Sequence, residues 1–241
     1  MHRVRNILKQ QNIEVSDQQL RTLEQYMTEI LRLNEEINLT AITDRDDFIQ
    51  KHFVDSLLCA GAQQVSEAKR VCDIGTGAGF PGIPLAVVHE NIDFVLADSL
   101  DKRVKIIRQL CESLEIPNVT PVHGRAEELA RRKEYREGFD LCVSRAVANM
   151  NTLSEYCLPF LKVGGTFIAY KGPGCEAEIK AAAKAIEILG GSEAEIMTPQ
   201  FEDVPFEHKL VYVKKIRQTP KTYPRKAGTP SRKPLEINGN F

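Results

Sequence analysis

The sequence predicts an α/β fold in which helices cover both faces of a mostly parallel sheet. From Arg70 onward, short runs rich in Val and Ile alternate with amphipathic stretches, as strands and helices do along a parallel sheet. Near the end of the chain, residues 193–201 and 207–216 form two strand-like runs with no helix between them. This pair predicts an antiparallel hairpin at one edge of the sheet.

The first part of the chain carries helical patterns instead. Its basic start lacks the apolar core and the cleavage site of a targeting peptide, so it predicts an amphipathic helix. Ser16 and Gln19 have the spacing of a capping box, and apolar residues follow at helical intervals. Residues 47–60 predict a further short helix. It carries Lys51, His52 and Asp55. Residues 1–65 are therefore expected to form an N-terminal helical extension.

The expected sheet domain covers residues 66–216. Five strands precede the hairpin, over residues 70–74, 93–98, 119–124, 139–144 and 165–171. Helices are expected around residues 85–89 and over residues 101–116, 153–162 and 176–189.

Residues 217–241 differ in composition from the rest of the chain. They contain four prolines and no acidic residue before Glu236, which predicts an extended basic arm rather than a folded element. Nine basic residues and no acidic one lie between Lys209 and Pro234. Because the whole chain is nearly neutral, with 32 basic and 33 acidic residues, this clustering favours contact with a polyanion. The alternative is a solvated tail that only adds solubility.

The remaining composition argues against several classes of protein. Six cysteines occur without a C-x-x-C pair, and Cys72 and Cys142 lie inside apolar runs, so buried free thiols in a reducing cytosol are expected. Five histidines are scattered without metal-ligand spacing, and no metal site is expected. No apolar run has the length of a membrane span. We therefore expect a cytoplasmic monomer without membrane contact.

A glycine-rich loop follows the first predicted strand and fits two templates. The spacing Gly75-x-Gly77-x-Gly79 is that of methyl-donor enzymes. The spacing Gly77-x-Gly79-x-x-Gly82 is the dinucleotide-binding pattern. Asp73 separates the two, because a carboxylate there would repel a pyrophosphate but attract the ammonium and sulfonium of S-adenosylmethionine. The loop therefore favours S-adenosylmethionine as the cofactor.

Three residues after the next strands are further candidates for cofactor contacts. Asp98 ends the second predicted strand, where a carboxylate can accept hydrogen bonds from both ribose hydroxyls. The alternative is that it caps the following helix. Ala126 and Glu127 follow the third strand, where the adenine ring should pass. The alternative there is an ordinary helix N-terminus with acidic residues in its first turn.

Two cations follow later strands. Arg145 comes at the end of the fourth predicted strand and Lys171 at the end of the fifth. Ligands bind at the carboxyl ends of strands in such sheets, so each side chain is a candidate for binding the cofactor carboxylate or an RNA phosphate. A surface salt bridge is the alternative for both. No residue is marked as a certain catalytic group.

Together these motifs resemble one family over nearly the whole chain. It is the bacterial small-subunit ribosomal RNA guanine-N7 methyltransferase G family, also called glucose-inhibited division protein B. The matching segments are "KHFVDSL", "CDIGTGAGFPGIPLA", "ADSLDKRVKII", "GRAEEL", "VSRAVANM" and "YPRKAGTPSRKPL". The resemblance implies a Rossmann-like, class I S-adenosylmethionine-dependent methyltransferase fold with seven strands, the last antiparallel, and an N-terminal helical extension. It also implies that S-adenosylmethionine contacts Gly75, Phe80, Ala126, Glu127 and Arg145.

The substrate implied by the resemblance is guanine N7 in the decoding-region hairpin of 16S rRNA, alone or within the small ribosomal subunit. The candidate RNA contacts are Lys51, His52, Lys171, Lys221, Arg225, Lys226, Arg232 and Lys233. The chain lacks the Asn/Asp-Pro-Pro-aromatic motif of many amine methyltransferases and the Pro-Cys nucleophile of carbon methyltransferases. Because guanine N7 already carries an in-plane lone pair, direct in-line transfer without a general base is expected. Two alternatives stay open: a methyltransferase acting on a small molecule or a protein, and a non-catalytic regulator that responds to a dinucleotide.

Overall fold

The computed structural model describes residues 1–202, 204 and 208–235. In this part of the chain, seven strands form one sheet: β1 (Arg70–Ile74), β2 (Asp93–Asp98), β3 (Val119–His123), β4 (Phe139–Arg145), β5 (Leu161–Lys171), β6 (Glu195–Met197) and β7 (Lys209–Lys214). Their order is β3-β2-β1-β4-β5-β7-β6. Strands β1 to β5 pair in parallel, whereas β7 runs antiparallel between β5 and β6. The predicted α/β fold with its edge hairpin is confirmed.

The first residue of the predicted strand 207–216 and the last six of the predicted arm, 236–241, lie outside the described residues.

Helices flank the sheet on both sides. In the described residues they are α1 (His2–Gln10), α2 (Asp17–Asn34), α3 (Arg45–Phe48), α4 (Gln63–Ser66), α5 (Gly82–Val88), α6 (Asp101–Ser113), α7 (Ala126–Leu129), α8 (Met150–Cys157), α9 (Glu176–Ile188) and α10 (Thr229–Arg232). Helix α3 continues into a π-helical turn over Ile49–Val54, and 3-10 turns follow at Leu57–Cys59 and Leu158–Phe160. None of the helices described combines the length and the apolarity that a membrane span requires.

Two hydrophobic clusters cover the two faces of the sheet. Neighbouring residues of β1 belong to different clusters, Val71 to the first and Cys72 to the second, because side chains alternate across a strand. The first cluster also contains Ile7 of α1 and Met27 of α2. The helices of the N-terminal extension therefore pack on the sheet and share its core.

Helix α2 begins as the sequence predicts. The Ser16 hydroxyl accepts a hydrogen bond from the Gln19 amide (3.1 Å), and the Gln19 side chain accepts one from the Ser16 amide (2.8 Å), which completes the capping box. Further along this helix, the buried Tyr26 hydroxyl donates to the carbonyl of Ala78 (2.9 Å). The extension thus supports the glycine-rich loop directly.

The helix predicted over residues 153–162 ends earlier than expected. Helix α8 stops at Cys157, and β5 already begins at Leu161. Pro159 lacks the N–H that an α-helix interior requires, and Leu161 pairs instead with Phe139 of β4. A pairing between strands that are distant in sequence therefore decides this boundary.

Residues 217–235, which we call the C-terminal strap, lie against the domain. Apart from α10 they have no regular secondary structure, as their proline content predicts, but they do not extend into solvent as an arm. Arg225 donates to both carboxylate oxygens of Glu155 on α8, at 2.7 to 3.0 Å, and Glu155 is fully buried. Thr219 and Pro230 are also buried. A buried carboxylate without a partner is strongly unfavourable, so this ion pair docks the strap.

Candidate functional site

The carboxyl ends of β1, β2 and β4 meet at one edge of the sheet, and a narrow cavity of about 90 Å³ lies there. The residues that line it include Gly75, Asp98, Ala126, Glu127, Val147 and Tyr156. Val147 and Tyr156 were not among the cofactor contacts predicted from the sequence. Val147 belongs to the "VSRAVANM" segment after the fourth strand, a position where ligand contacts are expected. Tyr156 lies within α8, and no neighbouring motif in the sequence indicates a ligand contact there.

A larger cavity of about 670 Å³ opens elsewhere, beside α9, between Lys180 and Arg217. Its lining, as far as the chain is described, includes none of the predicted cofactor residues. We therefore place the candidate site at the smaller cavity, which four of the predicted cofactor residues line: Gly75, Asp98, Ala126 and Glu127.

The glycine-rich loop needs glycine at specific positions. Gly75 has a φ of +75°, and a Cβ there would lie 2.4 Å from the Val147 side chain. Gly77 has a φ of +61°, and a Cβ there would meet no atom within 4 Å among the described residues. Gly79 has a φ of +88°, and a Cβ there would lie 2.5 Å from the Tyr26 hydroxyl. The loop is therefore closely packed at its two ends and open in the middle.

Asp73 is completely buried beneath this loop. Its Oδ2 accepts hydrogen bonds from the Thr76 hydroxyl (2.7 Å) and the Gly82 amide (2.8 Å). Its Oδ1 is buried and has no hydrogen-bond partner among the described residues. Burial raises the pKa of the Asp73 carboxyl to about 7. The carboxylate thus holds the loop together and keeps one oxygen unsatisfied.

The contacts of Asp98 agree with both roles predicted from the sequence, a helix cap and a residue of the cofactor site. One oxygen accepts from the Leu100 amide (2.9 Å) just before α6, as a residue that organises a helix start would. The other accepts from the Gly77 amide (2.9 Å), and the side chain lines the cavity. Arg103 lies 3.6 Å from that second oxygen. Asp98 therefore links the glycine-rich loop to the start of α6.

Ala126 and Glu127 begin the short helix α7, so the helix N-terminus described as the alternative is present. Glu127 is nevertheless buried, and its carboxylate accepts a hydrogen bond from the Gly228 amide of the strap (2.7 Å). Arg125 lies 3.4 Å from the same oxygen. The strap thus reaches the wall of the cavity, a contact that the sequence does not signal.

Arg145 is held in a buried network with the helical extension. Its Nη1 donates to Asp55 (2.5 Å) and to the carbonyl of Lys51 (3.0 Å). Its Nη2 lies 3.2 Å from Nδ1 of His52. The second oxygen of Asp55 lies 2.7 Å from Nδ1 of His208, next to β7. The salt bridge that was the alternative for Arg145 is therefore present, but it is buried rather than on the surface.

His52 is partly exposed and stacks on Phe80 of the glycine-rich loop. The ring centroids are 4.4 Å apart and the ring planes differ by 2°. Its Nε2 lies 2.7 Å from the Thr40 hydroxyl. Burial and the neighbouring Arg145 guanidinium lower the pKa of His52 to about 3, so the ring is uncharged near neutral pH.

Lys171 is buried, and its ammonium group forms hydrogen bonds within the protein. Its ammonium donates to the carbonyl of Ala148 (2.7 Å) and to Glu178 of α9 (2.6 Å), which also accepts from the Met150 amide (2.5 Å). Lys171 therefore fastens the segment that carries Val147. This arrangement corresponds to the salt-bridge alternative for Lys171, with an added contact to the backbone.

The predicted RNA-contacting cations of the strap fall into two groups. Arg225 is paired with Glu155, as described above. The exposed ones are Lys221, Lys226, Arg232 and Lys233. Lys51 is also exposed, with its ammonium 3.0 Å from Asp47. In the part of the chain that the structure describes, no group of three or more His, Cys, Asp or Glu side chains is placed to hold a metal ion.

Comparison with known proteins identifies the relatives of this chain. A family model described as rRNA small subunit methyltransferase G matches residues 19–204. The chain is 49% identical over 224 residues to the ribosomal RNA small subunit methyltransferase G of Clostridium botulinum (strain Alaska E43 / Type E3), covering 93% of this chain and 94% of that protein.

Two solved structures are similar in fold. One is a SAM-dependent O-methyltransferase from Thermotoga maritima, with a TM-score of 0.54 and 16% identity over 79% of this chain and 72% of that chain. The other is an O-methyltransferase from Bacillus cereus in complex with SAH, with a TM-score of 0.53 and 17% identity over 79% of this chain and 91% of that chain. At these identities the similarity concerns the fold alone, which is that of methyltransferases.

Proposed function

This chain belongs to the rRNA small subunit methyltransferase G family, and we propose that it transfers a methyl group from S-adenosylmethionine to N7 of a guanine in the decoding-region hairpin of 16S rRNA. The observation that carries the cofactor assignment is the unsatisfied, buried Oδ1 of Asp73 beneath a glycine-rich loop that is open at Gly77. A cationic ligand beside this oxygen would favour the ionised form of the carboxyl and be attracted by it, whereas a pyrophosphate would be repelled.

The residues at the cavity fit S-adenosylmethionine. Those that we propose to hold it are Asp73, Gly75, Gly77, Gly79, Phe80, Asp98, Ala126, Glu127 and Arg145. Pockets for ligands of this size measure roughly 300 Å³ or more, so the half-open cavity of about 90 Å³ holds only part of this ligand as it stands. The side chain of Val147, which lies against Gly75, is the part of the lining that we expect to move outward.

The proposed mechanism is direct in-line transfer. When bound, S-adenosylmethionine supplies an electrophilic methyl group on a sulfonium sulfur. Guanine N7 needs no deprotonation, so the chain has only to align the base and exclude water, and alignment of this kind is worth roughly 7–11 kcal/mol in favourable cases. His52 has both ring nitrogens in hydrogen bonds, which agrees with a mechanism that uses no general base.

The charge at Arg145 supports the same mechanism. Positive charge moves onto the purine during methyl transfer, so an unpaired cation beside N7 would oppose the reaction. Asp55 compensates the Arg145 guanidinium at 2.5 Å. We therefore propose that Arg145 serves the cofactor carboxylate and does not approach the methyl group.

The function can be tested on rRNA from cells with and without this gene. Borohydride reduction followed by aniline cleaves RNA at N7-methylguanine, and primer extension locates the break. We expect one break in 16S rRNA that disappears with the gene, returns with the wild-type gene and does not return with Asp98→Ala. The control is the same reaction on 23S rRNA, which should be unchanged.

A break pattern that does not depend on the gene would remove the rRNA assignment. The methyltransferase fold would stay, and a small molecule or a protein would then be the substrate. The regulator that responds to a dinucleotide is disfavoured by Asp73, because its carboxylate accepts from the Gly82 amide at the start of α5, and a negative charge there would repel a pyrophosphate.

A further inference from the structure

The two nitrogens of the His52 ring have defined roles. Arg145 can only donate hydrogen bonds, so Nδ1 of His52, 3.2 Å away, must accept. The ring proton therefore lies on Nε2 and is donated to the Thr40 hydroxyl at 2.7 Å. This is a neutral ring with both nitrogens engaged. It has no lone pair left for proton transfer, and only its flat faces remain for contact with a ligand.

The two faces of the ring differ in their aromatic neighbours. Phe80 stacks on the first at a centroid distance of 4.4 Å. Phe48 meets the ring at 76° and 4.6 Å, and the centroids of Phe48 and Phe80 are only 5.6 Å apart. If Phe48 and Phe80 lay on opposite faces of His52, the distance between their centroids would approach the sum of their two distances from the His52 ring. Phe48 therefore does not stack on the face opposite Phe80, and the His52 side chain is partly exposed.

The position of this ring is tied to the cofactor loop. The Phe80 amide donates to the Thr76 carbonyl (2.9 Å) inside the glycine-rich loop, and the Arg145 guanidinium lies 5.6 Å from the Phe80 ring centre. His52 is therefore fixed by stacking and by hydrogen bonds within contact distance of residues proposed to hold the cofactor. A loop residue without such bonds would lose more entropy on binding a ligand.

We propose that His52 is the stacking surface for the target guanine, through the face opposite Phe80. The inference rests on the proposed function. Unpaired RNA bases are recognised by stacking on aromatic side chains, including His, together with contacts to their edges. A neutral ring suits this base in particular, because N7 methylation makes the purine cationic and a charged side chain above it would repel the product. His52 is thus a positioning residue for the reaction and not an acid or a base.

The test uses three variants with different losses. His52→Phe keeps a flat ring but removes the hydrogen bonds. His52→Gln keeps polar groups but removes the ring, and His52→Leu removes both. The matched control is His89→Leu. His89 is also partly buried, and its Nε2 lies 3.1 Å from the Ala60 carbonyl. It follows the C-terminal end of α5, away from the glycine-rich loop that precedes this helix. Each is measured with a hairpin RNA that contains the guanine located by the aniline break.

We expect kcat/KM for the hairpin to fall roughly 10- to 100-fold in His52→Leu and His52→Gln, the effect of losing one base stack. His52→Phe and His89→Leu should stay within a few-fold of wild type. The affinity for S-adenosylhomocysteine, measured by calorimetry, should change less than threefold in His52→Gln. Replacing the target nucleotide with an abasic one should abolish the difference in RNA affinity between wild type and His52→Gln.

Other results would overturn the proposal. If His52→Gln retains activity and His52→Phe loses it, the hydrogen bonds matter and the stack does not. If S-adenosylhomocysteine affinity falls in parallel with activity, His52 only supports the cofactor loop. If the affinity difference persists on abasic RNA, His52 contacts another part of the hairpin. If the wild-type chain does not methylate the isolated hairpin, the same variants are measured on small ribosomal subunits from cells without the gene. A wild-type chain that methylates neither substrate would contradict the proposed function itself.

Discussion

Asp73 shows how a single residue can organise the loop and still offer an oxygen to the proposed cofactor. One of its carboxylate oxygens binds Thr76 and Gly82, and the other is buried without a partner among the described residues. An unsatisfied anionic oxygen in the interior is costly unless it is protonated or paired with a cation. The same burial that makes Asp73 a suitable partner for a cationic ligand therefore makes the free chain sensitive to pH.

Asp73→Asn is expected to change the dependence of stability on pH. Burial raises the pKa of Asp73 from 3.8 to about 7, so between these values the folded chain keeps a proton that the unfolded chain releases. The free energy of unfolding of the wild type therefore contains a contribution from Asp73 that falls as pH rises from about 4 to about 7, by at most about 1.4 kcal/mol per pH unit. Above about pH 7 this contribution is constant. Asparagine does not titrate. Urea unfolding at pH 5 and pH 7.5 should show the variant gaining stability relative to wild type at the higher pH.

Comparing the two chains at each pH cancels the contributions of the histidines, which are the same in both. A stability difference between variant and wild type that is equal at pH 5 and pH 7.5 would contradict the raised pKa of Asp73.

At the level of elements, the C-terminal strap and α8 depend on each other. Glu155 is completely buried in α8 and is satisfied by the side chain and the backbone amide of Arg225. The strap also borders the cavity of the candidate site, since the Gly228 amide donates to Glu127, which lines that cavity. A basic, proline-rich sequence is therefore part of the folded domain and borders the site.

Arg225→Ala should destabilise the chain strongly. The change leaves the Glu155 carboxylate buried without its cation, a loss of roughly 3 kcal/mol, because Arg225 is partly exposed and the lower end of the range applies. The matched control is Lys226→Ala, the next residue, which is exposed and should change the unfolding free energy by less than about 0.5 kcal/mol. Urea unfolding curves of both variants decide this. Equal, small effects would mean that the ion pair does not dock the strap.

For the molecule as a whole, the exposed cations of the strap should set the salt dependence of RNA binding. Neutralising Lys221, Lys226, Arg232 and Lys233 with Gln leaves the Arg225 ion pair intact, so the fold should be kept. If all four meet phosphates, the slope of log K against log salt should become less steep by about 3. The measurement is hairpin affinity between about 50 and about 200 mM KCl.

The control for this experiment is Lys180→Gln with Lys184→Gln, two exposed cations on α9. If the α9 pair reduces the slope as much per charge as the strap residues do, the strap is not the preferred RNA contact, and its exposed cations serve solubility.

Much of this architecture is predictable because it depends on short-range patterns. The alternation of strands and helices, the capping box at Ser16 and the glycine-rich loop after β1 all follow from neighbouring residues. The end of α8 was predicted wrongly because the pairing of Leu161 with Phe139 is not local. The partners of Arg145 and Glu127 were missed for the same reason, since Asp55 and Gly228 are distant in sequence.

The sequence by itself determined the α/β order, the loop and carboxylates that favour S-adenosylmethionine, and the concentration of positive charge near the end of the chain. Only the tertiary structure decided what each charge does. Lys171 donates to the Ala148 carbonyl and Arg225 to the buried Glu155 carboxylate, whereas Lys221 stays exposed. The physical reason is that a charge removed from water must be paired, and the packing of segments distant in sequence selects its partner.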